Sequence, residues 1–333
     1  MESQTIPSKI TPIHGKKEVF ILSIDGGGIR GLIPTRIIQE IEHITKRHPT
    51  ELFDFIAGTS IGGIISLALT TPSKDQKPQN SSDKVMEMFL KHGVDIFKKS
   101  VWKKIESAGG LTDEAYEATG LESTLKLYYG DTTLSQSLVP TVATSFELEK
   151  NRPYNFRSYD SANDFTREFC GRSTSAWPCL FELAQGTNLK GERFCCVDGG
   201  VVIVNPAEYA FDEAKILYPD AEKIVVVSIG TGECDQSFPG KEAKDWGVIK
   251  WFGPLLKILN DSQIHIADEN LRKKIAKEDY FRLQVMLTPD ENNIDDGSQE
   301  NLGKLLKKTE EFLQANKDAI DKICQVLTKE RKK

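Results

Sequence analysis

The stretch that decides the fold is LFDFIAGTSIGG, residues 52–63, in which a short apolar run stops at Gly-x-Ser-x-Gly and a helix-like apolar segment follows. A strand that turns sharply into a helix crowds the residue at the bend, and glycines on either side let the backbone pass. Gly58 and Gly62 stand two positions from Ser60. The pattern predicts a nucleophile elbow that presents the Ser60 hydroxyl at a helix N-terminus, although a plain glycine-rich turn has the same spacing.

The same strand, turn and helix pattern occurs just before this stretch. Residues 18–24 form a buried-strand run, residues 25–31 read DGGGIRG, and isoleucines at helical spacing follow within residues 33–47. The next strand covers residues 53–57. Such alternation builds a mainly parallel sheet covered by helices, so we expect an α/β fold.

The glycine loop of residues 25–31 has two interpretations. Gly26, Gly28 and Gly31 match the G-x-G-x-x-G spacing of a nucleotide-binding module, but that module needs an acid at the end of the second strand, where this chain offers the Ser60 hydroxyl. Consecutive glycines also suit an oxyanion hole, because N–H groups from Gly27 and Gly28 can approach a reacting carbonyl. Both glycine turns would open at one edge of the sheet, and together they are more specific than either alone.

A serine hydroxyl is a poor nucleophile until a base takes its proton. His265 is the histidine that follows Asp198 in the chain, but it stands in a helical run without a glycine turn to present it. Asp198 ends a short strand and is followed by Gly199 and Gly200. Direct proton transfer from Ser60 to Asp198 is therefore the alternative to a histidine base, provided that the two glycine turns face each other.

The whole chain limits the classes of protein to which it can belong. It has 333 residues and a net charge of −6, which argues against a general nucleic-acid binder. Neither a signal-peptide core nor an apolar run of about 20 residues is present, so we expect a cytoplasmic protein, with a non-classical export route left open. The cysteines and histidines lack metal-site spacing, which predicts that the protein binds no metal.

The remaining segments suggest one catalytic domain with two extensions. We expect a loose lead-in over residues 1–17, the domain itself over residues 18–290, and a C-terminal helix within residues 291–333 that packs on the same domain. Residues 97–105 interleave apolar side chains with lysines and suit either an anionic membrane surface or the core. Residues 246–259 are apolar with few charges and suit a membrane, a partner or the core. Core packing is the favoured interpretation for both segments.

The sequence resembles the patatin-like phospholipase family. Three blocks carry the resemblance in the family's order, namely DGGGIRG at 25–31, GTSIG at 58–62 and DGG at 198–200. Supporting matches lie at 173–176, 205–206 and 228–232, so the resemblance covers residues 19–232. One departure is Trp177, which stands where similar members have a small residue and puts the substrate's shape in doubt.

The resemblance implies a three-layer fold and hydrolysis of acyl esters in phospholipids or lysophospholipids, without metal or cofactor. It implies a Ser60–Asp198 dyad in place of a triad and transient contact with a membrane surface. The family's motif glycines map onto an oxyanion hole at Gly26, Gly27 and Gly28, and onto turn positions at Gly31, Gly58, Gly62, Gly199 and Gly200.

Three points stay open at this stage. Arg30 either binds an anion such as a lipid phosphate or supports the oxyanion turn, because arginine suits both roles. A phospholipase effector that a small molecule such as a cyclic nucleotide activates is an alternative to an unregulated enzyme. A homodimer is also compatible with the sequence.

Overall fold

A computed structural model describes residues 8–96, 118–178, 180–235, 238 and 240–329. The segment 97–105, for which core packing was predicted, lies outside these residues. The ten described strands are β1 Glu18–Ile24, β2 Phe55–Gly58, β3 Thr141–Ala143, β4 Ser145–Glu147, β5 Arg152–Pro153, β6 Phe156–Arg157, β7 Ala184–Thr187, β8 Arg193–Asp198, β9 Lys223–Ile229 and β10 Tyr280–Leu283.

Helices connect the strands and cover the sheet. The described α-helices are Leu32–Thr45, Pro49–Leu52, Ile61–Leu69, Ser82–Ile96, Thr119–Tyr129, Arg167–Thr174, Ala207–Leu217, Gly240–Ala243, Val248–Lys274, Gln299–Ala315 and Lys317–Thr328. The sequence predicted one long helix at the C-terminal end, which is wrong, because a break at Asn316 divides it into two. The first of the two begins only at Gln299, so the preceding residues 291–298 are not helical.

The central sheet has six strands in the order β10-β9-β1-β2-β3-β6 and is parallel except for the β3–β6 pair. This confirms the predicted mainly parallel sheet with flanking helices. A second, antiparallel sheet has the order β5-β4-β8-β7. The two sheets meet at neighbouring residues of the chain: β3 belongs to the first sheet and β4 to the second, with Thr144 between them.

Alternation along β1 explains why the central sheet is buried on both faces. Phe20, Leu22 and Ile24 belong to one core cluster, which includes the helices Leu32–Thr45 and Ile61–Leu69. Val19 and Ile21 belong to a second cluster with the helix Ala207–Leu217. A parallel sheet whose strands are apolar on both faces needs such a cover on each side, and the result is a three-layer fold.

The strand register brings the functional segments to one edge of the sheet. Ile24 at the end of β1 pairs with Gly58 at the end of β2 and with Ile229 at the end of β9. The residues that follow these strands therefore leave the sheet side by side. Asp198 reaches the same place from the second sheet, where it pairs with Ser145.

Candidate active site

Ser60 occupies a strained bend between β2 and the helix Ile61–Leu69. Its backbone has φ 55° and ψ −124°, a region that residues with a side chain rarely adopt. Backbone strain of this kind costs about 1–3 kcal/mol and persists only where the surrounding structure imposes it. The bend places Ser60 at the N-terminal end of the helix, in the geometry that the sequence pattern predicted.

Close backbone packing explains the two glycines around Ser60. A Cβ atom on Gly58 would lie 2.0 Å from the carbonyl oxygen of Gly62. A Cβ atom on Gly62 would lie 2.3 Å from the carbonyl oxygen of Ile24, at the end of β1. Side chains at these positions would push the helix away from the sheet, so the glycines hold the bend at the sheet edge.

Asp198 contacts the Ser60 side chain directly. The Ser60 hydroxyl donates a hydrogen bond of 2.6 Å to Oδ2 of Asp198, and the N–H of Gly200 donates one of 2.6 Å to Oδ1. The N–H of Ser60 donates to Oγ1 of Thr174 at 3.0 Å. Both oxygens of the carboxylate are thus engaged, and the aspartate is held with one oxygen against the serine.

The environment of Asp198 makes its carboxyl group a better base. The residue is only 1% exposed. Burial raises the pKa of Asp198 from its ordinary 3.8 to about 7, although the hydrogen bonds from Ser60 and Gly200 act in the opposite direction. A carboxylate whose pKa lies near neutrality accepts a proton far more readily than an exposed one.

Glycines 26–28 form a loop that faces Ser60. A Cβ atom on Gly26 would lie 3.3 Å from Cβ of Ser60, so the loop and the serine are in van der Waals range. The loop is fixed by a hydrogen bond of 2.7 Å from Oγ1 of Thr231 to the Gly26 carbonyl. Among the described residues, no group accepts a hydrogen bond from the N–H of Gly27 or Gly28. Two backbone donors of this loop, which lines the same cavity as Ser60, are therefore unused.

The end of the loop depends on backbone conformations that glycine provides. Gly28 has φ 58°, and a Cβ atom there would lie 2.0 Å from the carbonyl oxygen of Ile294. That carbonyl accepts a hydrogen bond of 2.9 Å from the N–H of Ile29. Gly31 is also tightly packed, since a Cβ atom there would lie 2.4 Å from Cγ1 of Ile61.

Arg30 lies in the same turn, and its described hydrogen-bond partners are neutral. Nη1 donates to Oδ1 of Asn292, and Nε donates to the Gly27 carbonyl at 3.5 Å. Removal from water lowers the pKa of Arg30 to about 10, so the guanidinium remains charged at neutral pH. These contacts hold Arg30 in the turn, and no carboxylate in the described part of the chain bonds to its guanidinium, so both roles of Arg30 stay predictions.

These residues share a cavity of about 330 Å³. Ser60, Asp198 and the glycine loop line it together with apolar and polar side chains, which we call its apolar part and its polar part. The apolar part includes Ile61, Ile64, Met88, Phe89, Leu121 and Phe181. The polar part includes Arg30, Glu233, Lys257, Asp261, Gln284 and Asn292. Trp177 also lines the cavity and would lie 3.1 Å from a Cβ atom on Gly200.

His265 does not take the place that a histidine base would need. It lines the cavity, but its Nε2 lies 3.2 Å from Oε1 of Glu233 on a side chain that is 60% exposed. The acceptor of the Ser60 hydroxyl is Asp198. The Ser60 hydroxyl is thus hydrogen-bonded to Asp198 and not to His265, and the role of Asp198 as a base stays a prediction.

Sequence reasoning missed the support that the segment 282–294 gives to this site. Arg282 donates to both oxygens of the buried Asp25, at 2.9 and 2.5 Å, and to the Ser228 hydroxyl at 2.8 Å. Asn292 and Ile294 contact the glycine turn as described above. An acid placed directly after a buried strand signals a need for a cation, but the chain gives no local sign of which cation comes to it.

The described residues include no group of three or more His, Cys, Asp or Glu side chains arranged to hold a metal ion. None of their helices combines the length and apolar character that a crossing of the bilayer requires.

Comparison with known proteins supports the resemblance in the motifs. The sequence model of the patatin-like phospholipase family matches residues 22–211. Patatin-like protein 2 of Oryza sativa subsp. japonica is 29% identical, over 96% of this chain and 88% of that protein. Patatin-17 of Solanum cardiophyllum is 28% identical, over 89% of this chain and 83% of that protein.

Among solved structures, VipD from Legionella pneumophila aligns over 94% of this chain and 66% of its own, with 14% identity and a TM-score of 0.39. The present chain thus spans just under two thirds of that protein. The family match covers more than half of the chain and includes all three motif blocks. The chain belongs to the patatin-like phospholipase family, a family of lipid acyl hydrolases.

Proposed function

We propose that the protein is a serine acyl hydrolase of the phospholipase A type, with Ser60 as nucleophile and Asp198 as its base. The observation that carries the proposal is the 2.6 Å hydrogen bond from the Ser60 hydroxyl to a buried carboxylate, at the wall of a largely apolar cavity. Family membership supports the lipid class of the substrate. It does not favour the nucleotide-binding interpretation of the glycine loop.

Acylation begins when Asp198 takes the proton of the Ser60 hydroxyl as Oγ attacks the ester carbonyl of a phospholipid. The negative charge that develops on the carbonyl oxygen faces the free N–H groups of Gly27 and Gly28. Each such donor contributes about 3–4 kcal/mol to transition-state stability in enzymes of this kind. The intermediate then collapses, the C–O bond to the glycerol moiety breaks, and Asp198 returns its proton to the departing alkoxide.

Deacylation repeats these steps with water in place of the serine. Asp198 accepts a proton from the attacking water, whose oxygen forms a bond to the acyl carbon of acyl-Ser60. When this second intermediate collapses, the bond to Oγ breaks and the proton goes from Asp198 to Ser60. A free fatty acid leaves, and the dyad is restored with no net change in its protons.

The two parts of the cavity wall suggest how a lipid is oriented. The acyl chain would lie along the apolar part near Phe89 and Phe181, which keeps its methylene groups from water. The glycerol phosphate would lie toward the polar part, where Arg30 carries a charge without a bonded carboxylate. A guanidinium suits phosphate through paired N–H donors. Trp177 would limit the bulk of the substrate near Gly200.

The experiment compares fatty-acid release from mixed phospholipid and lysophospholipid vesicles by wild-type protein, Ser60→Ala and Asp198→Asn. We expect each variant to lose at least about three orders of magnitude in rate, as nucleophile and base removal do in serine hydrolases. Ser161→Ala and Asp131→Asn, at exposed positions, serve as matched controls and should keep the wild-type rate. Full activity in either dyad variant, with its fold intact, would refute the assignment.

A further inference from the structure

An unusual surface lies on the long helix Val248–Lys274, on the opposite side from the cavity. The sequence favoured core packing for residues 246–259, and that prediction is wrong. Val248 is 87% exposed and Ile249 is 88% exposed, while Phe252 is 53% exposed. Trp251, Leu255, Ile258 and Leu259 are also among the exposed large apolar residues.

Helical spacing shows that these residues form a continuous stripe. Val248, Phe252, Leu255 and Leu259 follow the spacing i, i+4, i+7, i+11, which places them on one side of the helix. We call these four residues, with Ile249 and Trp251 at their edges, the apolar stripe. Ordinary surface helices turn such a stripe toward the core, whereas this one turns it toward solvent.

The other side of the same helix turns lines the candidate active site. Gly253, Leu256, Lys257 and Asn260 border the cavity that contains Ser60. They too follow helical spacing, about half a turn away from the stripe. One short length of helix therefore separates the cavity from the apolar stripe, and a surface bound to the stripe would lie next to the cavity.

The composition of this length favours a lipid surface as the partner. Residues 246–260 contain no acidic residue, in a chain whose net charge is −6, and their exposed lysine is Lys250, because Lys257 borders the cavity and pairs with Asp261. Trp246 and Trp251 contact each other edge to face beside the stripe, with ring centroids 5.3 Å apart. Apolar side chains flanked by tryptophan and lysine are typical of helices that lie in the interface of an anionic bilayer.

The helix is also loosely held at this end. A Cβ atom on Gly247 or Gly253 would meet no heavy atom within 4 Å. Pro254 lies inside the helix and lacks the N–H that would bond to the carbonyl of Lys250. At these positions the first turns are less closely packed than the later turns, where Leu271 lies in the core.

We propose that the apolar stripe docks the enzyme on anionic phospholipid bilayers and so places the cavity at the lipid surface. This inference rests on the proposed function, because the substrate lipid then comes from the bilayer that the stripe contacts. The stripe side chains would enter the headgroup region, and Lys250 would lie among the anionic headgroups. Docking would raise the rate on vesicles without changing the chemistry at Ser60.

The test uses Val248→Gln/Phe252→Gln, with Leu127→Gln/Ile216→Gln as the matched control at exposed positions of two other helices. Flotation with vesicles of phosphatidylcholine and phosphatidylglycerol, in a Ser60→Ala background to prevent hydrolysis, measures docking. We expect the stripe variant to lose about tenfold or more in partitioning, since two large side chains no longer leave water. The control should float like its parent, and added salt should weaken flotation.

Activity separates this inference from the proposed function. When Ser60 is intact, the stripe variant should hydrolyse a soluble short-chain ester at the wild-type rate. Its rate of hydrolysis on vesicles should fall about tenfold. If the stripe variant floats and hydrolyses both the soluble ester and the vesicles as well as wild type does, the docking proposal fails, whereas the proposed hydrolase function does not. If flotation depends on the stripe but the wild-type protein hydrolyses neither substrate, the proposed hydrolase function fails, whereas the docking proposal does not. A third outcome is that wild type is a dimer by light scattering and does not float, while the stripe variant is a monomer. The stripe would then be a contact between copies of this chain, and the docking proposal would fail.

Discussion

Ser60 and Asp198 are 138 positions apart in the chain, yet Oγ of the serine lies 2.6 Å from Oδ2 of the aspartate. The two residues come from different sheets, since Ser60 follows β2 of the central sheet and Asp198 ends β8 of the antiparallel one. Thr144, between β3 and β4, joins the sheets, and its Oγ1 donates to Oγ1 of Thr59 at 2.8 Å. The candidate dyad therefore spans the line where the two sheets meet.

The rate should depend on pH through Asp198, whose pKa burial raises to about 7. Because the base must be ionised to accept a proton, kcat/KM on a soluble ester should rise as pH increases and reach half its maximum near pH 7. A pH–rate profile of kcat/KM from about pH 5 to 9 provides the measurement. A midpoint near 4, the ordinary value of an aspartate, would show that the carboxylate is not the buried base.

The same carboxylate should reduce the stability of the protein at neutral pH. Its folded pKa lies above its unfolded value, so the folded state binds the proton more tightly, and stability is lost as pH rises from about 4 to about 7. Asp198→Asn stays neutral and keeps the shape of the side chain. We expect it to raise the free energy of unfolding by about 1–4 kcal/mol at about pH 8, and by less at about pH 5.

Urea unfolding at both pH values measures this effect. Asp131→Asn is the comparison, because a hydrogen bond from Lys126 lowers the pKa of that exposed carboxyl. Its removal should change stability in the opposite sense, and any loss should appear at both pH values, because both lie above the ordinary pKa of an aspartate. If Asp198→Asn raises the free energy of unfolding equally at the two pH values, stability does not depend on the ionisation of Asp198.

Gly28→Ala should damage both the fold and the activity. The new methyl group would meet the Ile294 carbonyl at 2.0 Å, and φ 58° is unfavourable for alanine. We expect a loss of about 2–4 kcal/mol in the free energy of unfolding and a lower rate, because the loop and its N–H groups must move. Gly303→Ala, in the helix Gln299–Ala315 with no heavy atom within 4 Å, should instead stabilise by about 0.5–1 kcal/mol.

Thermal or urea unfolding of the two glycine variants, together with ester hydrolysis, tests this difference. The same chemical change should act in opposite directions at the two positions. An unchanged stability of Gly28→Ala would mean that the contact between the loop and Ile294 is not maintained in solution.

Arg282→Met should destabilise the protein strongly, since it leaves the buried Asp25 carboxylate without its cation. Arg282 and Asp25 side chains are 8% and 0% exposed. Removing one partner of a buried pair costs about 3–5 kcal/mol, and the double variant with Asp25→Asn should recover much of that loss. Arg272→Met breaks a half-exposed ion pair with Asp268 and should cost less than about 1 kcal/mol.

Urea unfolding of wild type, Arg282→Met, Asp25→Asn and the double variant gives a double-mutant cycle for this pair. Additive effects of Arg282→Met and Asp25→Asn would show that the two side chains do not depend on each other.

Much of the fold and half of the candidate site followed from local sequence. The strand Glu18–Ile24 has the predicted bounds, because it is an apolar run that ends at a glycine turn. Ser60 was recognisable because the crowded bend needs glycines at fixed positions beside it. Such signals depend only on residues close together in the chain.

Contacts between distant residues were decided by the tertiary structure. The hydrogen bond from Ser60 to Asp198, the pairing of Arg282 with Asp25 and the support of the glycine turn by Ile294 leave no periodic signal, since each joins segments far apart in sequence. The stripe on the helix Val248–Lys274 has the same helical spacing whether it faces the core or solvent. Sequence determined that this helix has an apolar side, and only packing decided that this side is exposed.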